Sequence, residues 1–229
     1  MDSVTLTARA LLFDMDGTLV DSTAVVESVW SRFALRHGID VRDILKTSHG
    51  KQMKDTIAAW GPTGVDVALE SSDLAAFEIT QNDGVIEVAG AADFANAVPR
   101  DAIALVTSAP LALAKVRMAV AGVDLPVVVV TADEIPRGKP HPDCYLRAAE
   151  LLGVDPADAI VFEDADAGIA AGLAAGMRTI VVGDLDSELT AGLPRIRDYR
   201  DVAIATMVDT EGRRQLVLTL PATAVGRGD

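Results

Sequence analysis

Apolar residues along this chain recur in two rhythms. Short unbroken runs, Ala10 to Phe13, Ile103 to Thr107, Val127 to Val130, Ile160 to Phe162 and Thr179 to Val182, read as strands buried on both faces. Helical spacing lies between them. Val26, Val29, Trp30 and Phe33 share one helical face that Gly38 can terminate. Gly90 to Val98 reads as another helix, and Pro110 opens the next at its first position, where a missing N–H is harmless. Further helices are expected from Pro142 through Leu151 and, rich in small residues, from Ala165 to Ala175 before Gly176. The tail carries weaker strand patterns at Ala203 to Val208 and Gln215 to Leu220, joined through Glu211-Gly212.

One region breaks the alternation. Between the first strand and Gln81 only helical pieces occur: the short Asp40 to Leu45, then Lys51 to Trp60 closed by Gly61-Pro62, then Val65 to Thr80. Alternation resumes at Val85, after the turn Asp83-Gly84. Strands alternating with helices within ~30 residues predict an α/β fold with a doubly wound parallel sheet. The helical block then reads as an insertion after the first strand. The expected division is a core of residues 1–20 and 86–229, with residues 21–85 inserted.

Composition narrows the function classes. Half of the 229 residues are hydrophobic, enough for a substantial core. The formal net charge of −14 opposes binding to nucleic acid or an anionic membrane, so neither partner is expected. An anionic substrate would need a local cluster of cations. Cys144 is the only cysteine, which excludes an intramolecular disulfide and a cysteine zinc cluster. No apolar run approaches the ~18 residues of a membrane span, and Met1 to Arg9 lacks a secretory pattern. A cytoplasmic monomer is the expectation.

The polar residues at strand ends carry the chemistry. Asp14 and Asp16 follow the first strand, Thr107 and Ser108 the second, and Glu163-Asp164 the fourth, while Lys139 lies in the loop after the third. In a doubly wound sheet these carboxyl ends share one edge, where ligands bind. Acids brought together there repel unless a cation neutralises them, and oxygen ligands with phosphate nearby suit Mg²⁺. A carboxylate can attack phosphorus, and a second carboxyl can protonate the leaving alcohol and later deprotonate water. Hydroxyls, backbone N–H groups and a lysine would neutralise the transferring phosphoryl group.

In order and spacing, Asp14-Met15-Asp16-Gly17-Thr18, Thr107-Ser108, Lys139-Pro140 and Glu163-Asp164 resemble the four motifs of the haloacid dehalogenase superfamily. The resemblance implies a Rossmann-like core with a small helical cap inserted after the first motif. It implies Asp14 as nucleophile, Asp16 as general acid/base, and Ser108 or Thr107 as the hydroxyl on the phosphoryl group. Lys139 would bridge nucleophile and phosphate. Mg²⁺ would be held by Asp14, Asp164 and the backbone carbonyl of Asp16, with Glu163 helping directly or through water. The dehalogenases of the superfamily lack the second aspartate, so Asp16 directs the reading to phosphoryl transfer.

Ser48-His49-Gly50, Gly138-Lys139-Pro140-His141-Pro142 and Phe162-Glu163-Asp164-Ala165 further resemble glycerol-phosphate and 2-deoxyglucose-6-phosphate phosphatases. That resemblance implies a small sugar or polyol phosphate as substrate, with His49 and Lys51 as candidate cap contacts. Two positions depart from it: Gln52 stands where such caps carry Arg, and Ala109 where Gly follows the hydroxyl motif. A hexose-phosphate mutase on the same core is the alternative activity. A non-catalytic phosphate-binding protein is a third reading, disfavoured by the intact nucleophile and acid.

Overall fold

The computed structural model describes residues 3–221. In chain order, strands β1 (Val4–Ala8), β2 (Ala10–Phe13) and β3 (Val20–Asp21) precede helices α1 (Thr23–His37), α2 (Val41–Ser48), α3 (Met53–Trp60) and α4 (Val67–Glu78). Then follow β4 (Ile86–Glu87), α5 (Ala91–Ala97), β5 (Ile103–Val106), α6 (Leu111–Ala121), β6 (Val128–Val130) and α7 (Asp143–Leu152). The chain continues through β7 (Ala159–Glu163), α8 (Asp166–Ala174), β8 (Arg178–Val182), β9 (Arg195–Ile196), β10 (Ala203–Val208) and β11 (Arg214–Leu220).

The central sheet has six parallel strands in the order β6-β5-β2-β7-β8-β9, as the alternating pattern predicts. Its two faces are sorted by residue parity, because successive strand side chains point to opposite sides. Leu11, Phe13, Leu105, Phe162 and Ile180 pack with Phe94 of α5 and with Leu113 and Met118 of α6. Ala10, Leu12, Val106, Val130 and Val161 pack with Tyr145 and Ala148 of α7 and Ala171 of α8. Parallel strands covered on both faces account for the unbroken apolar runs.

The tail strands do not join this sheet. β10 and β11 form a three-stranded antiparallel sheet with β1, in the order β1-β11-β10. Leu216, Leu218 and Leu220 alternate inward and join the same cluster as Phe13 and Phe162. The Val4–Ala8 strand has a weak pattern, half-buried on one sheet face, and its partner lies at the other end of the chain. Two smaller expectations also change. Pro110 is the N-cap of α6, with extended φ/ψ of −65° and 153°, rather than its first helical residue. The strand expected from Val85 shortens to Ile86–Glu87, which pairs antiparallel with Val20–Asp21.

That two-residue ladder brackets the helical insertion, so the block leaves and re-enters the core through adjacent segments. Its helices begin where local chemistry satisfies free N–H groups: Asp40 accepts from the Arg42 N–H, and Asp66 from those of Ala68 and Leu69. The first helix stops at Gly38, which adopts the left-handed conformation at φ 67°. No helix among the described residues is long and apolar enough to cross a membrane.

Candidate active site

The carboxyl ends of β2, β5 and β7 and the loop after β6 meet at one edge. Lys139 is the hub. Its ammonium is buried and donates to Asp14 Oδ1 at 2.5 Å, Glu163 Oε1 at 2.7 Å and the Val106 carbonyl at 3.1 Å. Tyr145 of α7 stands beside this centre, its hydroxyl donating to the same Glu163 oxygen at 2.8 Å and its ring 5.2 Å from the ammonium. The other oxygen of Glu163 accepts from the backbone N–H groups of Asp164 and Ala165. Glu163 is therefore tied to the lysine and Tyr145 through one oxygen and to its own backbone neighbours through the other.

Burial pushes the Asp14 carboxyl up to about 7; the Lys139 ammonium opposes this, and the Glu163 charge adds to it. Burial, then the Glu163 and Asp14 charges, likewise raise Asp164 well above the ordinary carboxylate range. Burial alone would lower the Lys139 ammonium, but Asp14 and Glu163 outweigh it and the net shift is upward. Oxygens from Asp14, Glu163 and Asp164 lie within 4.8 Å of one another. Three carboxylates facing one ammonium leave a negative excess in a buried place, which fits a cation. The Asp16 side chain is outside this group.

Close approach of backbone to carboxylate depends on glycine at two points. Gly17, at φ 82°, lies where an added Cβ would sit 2.0 Å from Asp164 Oδ2. On α8, a Cβ at Gly168 would meet Glu163 Oε1 at 1.6 Å. Gly168→Ala should therefore displace Glu163 and, through it, Lys139. The expected outcome is a stability loss of roughly 1–3 kcal/mol in denaturant unfolding, with slower turnover by the folded fraction.

The helical insertion closes over this edge and leaves a cavity of about 300 Å³. Asp14, Asp16, Asp164, Thr107 and Ser108 line it. His49 and Lys51 also line it, both exposed, so the two candidate substrate contacts border the site. Ser108 Oγ donates to the Gly50 carbonyl at 2.7 Å, a direct bond between core motif and insertion. Thr107 Oγ1 accepts from the Ala109 N–H at 3.0 Å, and Thr18 Oγ1 donates to Asp164 Oδ1 at 3.2 Å. Gln52 is buried and turned to the core, its Nε2 donating to the Ile135 carbonyl at 2.9 Å, while its Oε1 has no partner.

Arg117, Glu78, Ser22 and Tyr145 were not singled out by sequence motif. Asp16 Oδ1 accepts from Ser22 Oγ at 2.6 Å and from Arg117 Nη1 at 2.7 Å. Arg117 also donates through Nη2 to Glu78 Oε1 at 2.6 Å. A signal was available. Arg117 sits with Leu113, Ala114 and Met118 on the buried face of α6, and Glu78 shares the buried face of α4 with Leu74. A charge on an apolar stripe needs a buried partner.

Residues 8–176 match the family model described as haloacid dehalogenase-like hydrolase. The chain is 41% identical over 178 residues to hexitol phosphatase A of Escherichia coli (strain K12), covering 76% of this chain and 82% of that enzyme. It is 33% identical over 197 residues to glycerol-1-phosphate phosphohydrolase 2 of Saccharomyces cerevisiae, covering 80% of this chain and 79% of that enzyme. Among solved structures, CbbY from Rhodobacter sphaeroides in complex with phosphate shares the fold, with a TM-score of 0.71 at 23% identity, over 84% of this chain and 95% of that one. A β-phosphoglucomutase from Clostridium difficile shares it at a TM-score of 0.70 and 21% identity, over 83% and 91% of the two chains.

Proposed function

The chain belongs to the haloacid dehalogenase-like hydrolases, and on that premise we propose that it is a Mg²⁺-dependent phosphatase of a small sugar or polyol phosphate monoester. The carrying observation is the pairing in one cavity of a lysine-held Asp14 with a second carboxyl, Asp16, gripped on one oxygen only. The phosphatase relatives that act on hexitol and glycerol phosphates, by their names, support the substrate class. The likeness to a phosphoglucomutase is below 25% identity and supports the fold alone. A monomer in the cytoplasm belongs to the same reading.

In this proposal Asp14 attacks phosphorus. An Asp14 O–P bond forms as the ester P–O bond breaks, and Asp16 gives its proton to the departing alkoxide. Water then attacks the aspartyl-phosphate, losing a proton to Asp16, and inorganic phosphate leaves with Asp14 regenerated. Lys139 holds Asp14 in place, and its charge lies beside the transferring group. Ser108 and Thr107 orient the phosphoryl oxygens. Asp14, Asp164 and the Asp16 carbonyl would hold Mg²⁺, which when bound supplies charge neutralisation at those oxygens. Glu163, already engaged by four donors, contributes its charge and the lysine's position. The helical insertion serves as a cap that excludes bulk water, with His49 and Lys51 facing the substrate.

The test is phosphate release from a panel of phosphorylated sugars and polyols, with Mg²⁺ or with EDTA. Turnover of polyol or sugar monophosphates only with Mg²⁺ is expected. Isomerised sugar phosphate without free phosphate would favour the mutase, and no turnover at all would favour a binding protein.

A pH-dependent effect of the cation follows from Asp14. Its folded-state value is raised from 3.8 to about 7, so its contribution to stability is fully present below 3.8 and is lost as pH rises through about 7. A bound cation replaces that proton and reverses the trend. Mg²⁺ should therefore raise the melting temperature, relative to EDTA, far more at about pH 8 than at about pH 5. Equal shifts at both would refute this.

A further inference from the structure

Arg117 has no part in the four motifs, yet it is almost wholly buried and reaches the acid. It projects from the core helix α6, and its two terminal nitrogens are divided between Asp16 Oδ1 and Glu78 Oε1, at 2.7 and 2.6 Å. Glu78 is the last residue of α4, so this three-residue chain crosses from the core to the helical cap. All three residues line the same cavity as Asp14 and Ser108.

A buried guanidinium is a poor device for stability, since well-packed apolar side chains of similar volume do as well or better. The Nε of Arg117 even lacks a partner. What the arrangement achieves is geometric. Arg117 and Ser22 both donate to Oδ1 of Asp16, whereas Oδ2 accepts nothing among the described residues. The carboxyl is held through Oδ1, and Oδ2 is left without a protein donor among the described residues.

We infer that Arg117 is a positioning residue for the general acid, and that Glu78 ties this positioning to the closed cap. Arg117 itself transfers no proton: the Asp16 proton passes from Oδ2 to the ester oxygen as the P–O bond breaks. With the cap in place, Glu78 holds the second nitrogen and the guanidinium lies across the cavity. With the cap displaced, Arg117 loses that partner and keeps only its bond to Asp16, so its guanidinium is no longer fixed at both nitrogens. The acid is thus held most rigidly around an enclosed substrate. The inference rests on the phosphatase reading above and extends it to a residue outside the motifs.

Leaving-group dependence tests it, because an alkoxide needs a proton to depart and a nitrophenolate does not. The measurement is kcat/KM, which reports the first phosphoryl transfer, for the full chain with Mg²⁺ on glycerol 1-phosphate and on p-nitrophenyl phosphate. Arg117→Met should lose about 30- to 100-fold on glycerol 1-phosphate and less than about 3-fold on p-nitrophenyl phosphate. Arg117→Lys should recover part of the loss, since it keeps a donor but not the fork. Because Arg117→Met leaves Glu78 buried without its partner, the double variant Glu78→Leu/Arg117→Met provides a packed, uncharged control. It should melt near the wild type and still show the selective loss. Glu78→Gln should show the same selectivity at smaller size, and no selectivity there would overturn the link to the cap. Equal losses on both substrates, or none on either, would overturn the positioning role. A wild type that releases phosphate from neither substrate would instead overturn the phosphatase reading, and this inference with it.

Discussion

Asp14→Asn should lower phosphate release by at least ~10⁴-fold while leaving the fold intact. The amide keeps the shape of the carboxylate but cannot form the aspartyl-phosphate. Folding should suffer little, because the site already disfavours the charge: burial pushes the Asp14 carboxyl to about 7, and Lys139 keeps Glu163 as a partner at 2.7 Å. Phosphate release from the metabolite panel measures the first effect and denaturant unfolding the second. Turnover within tenfold of wild type would exclude Asp14 as the nucleophile.

Lys139→Met should damage both function and folding. Removing the ammonium leaves Asp14 and Glu163 facing each other in a buried place, with Tyr145 the one side-chain donor left to Glu163. Breaking a buried ion pair from one side destabilises by about 3–5 kcal/mol. Turnover should fall by on the order of 10³-fold, as a fixed positive charge beside the phosphoryl group is lost. The stability loss has a direction with pH. Raised carboxyls take up protons as pH falls, which removes their repulsion, so unfolding should reveal a larger deficit at alkaline than at acid pH. A deficit that does not change with pH would mean that the lysine's packing, rather than its charge, supports the site.

Much of this site is written in the sequence. The carboxyl ends of strands are marked by an abrupt change from apolar run to acid, as at Phe13-Asp14 and Phe162-Glu163, and a parallel sheet gathers those ends on one edge. Lys139 was legible only through its motif, since taken alone it is an ordinary residue in a loop rich in Gly and Pro. Glu163 shows the limit. Its place beside Asp164 suggests a metal-site residue, and one of its oxygens does lie within 4.8 Å of oxygens of Asp14 and Asp164, but its hydrogen bonds with Lys139, Tyr145 and two backbone N–H groups, which also tie it to the lysine, appear only in the fold.

Gln52 illustrates the same limit in the cap. It stands two residues after Gly50, where similar caps carry Arg, and its amide is buried against the loop that carries Lys139, with Nε2 on the Ile135 carbonyl. Lys54, the second residue of α3, donates to the neighbouring Pro136 carbonyl at 3.2 Å. Together they fasten the cap to the catalytic loop. The terminal strand Val4–Ala8 lacked a strong signal because its stability comes from pairing with Leu216–Leu220 across nearly the whole chain, not from its own alternation.

By itself, the sequence determined the alternation of the main parallel strands with helices, the run of helices after the first of them, and the acids at the strand ends. These are local properties, written in periodicity and in the residues where periodicity stops. The tertiary structure alone decided which polar groups meet. Asp16 and Arg117 are 101 residues apart and Arg117 and Glu78 are 39 apart; the packing of α6 on the sheet brings the first pair together, and that of α4 against α6 adds the second. Periodicity records that a side chain is buried; the partner that makes burying a charge tolerable comes from another segment, and its identity is set by packing.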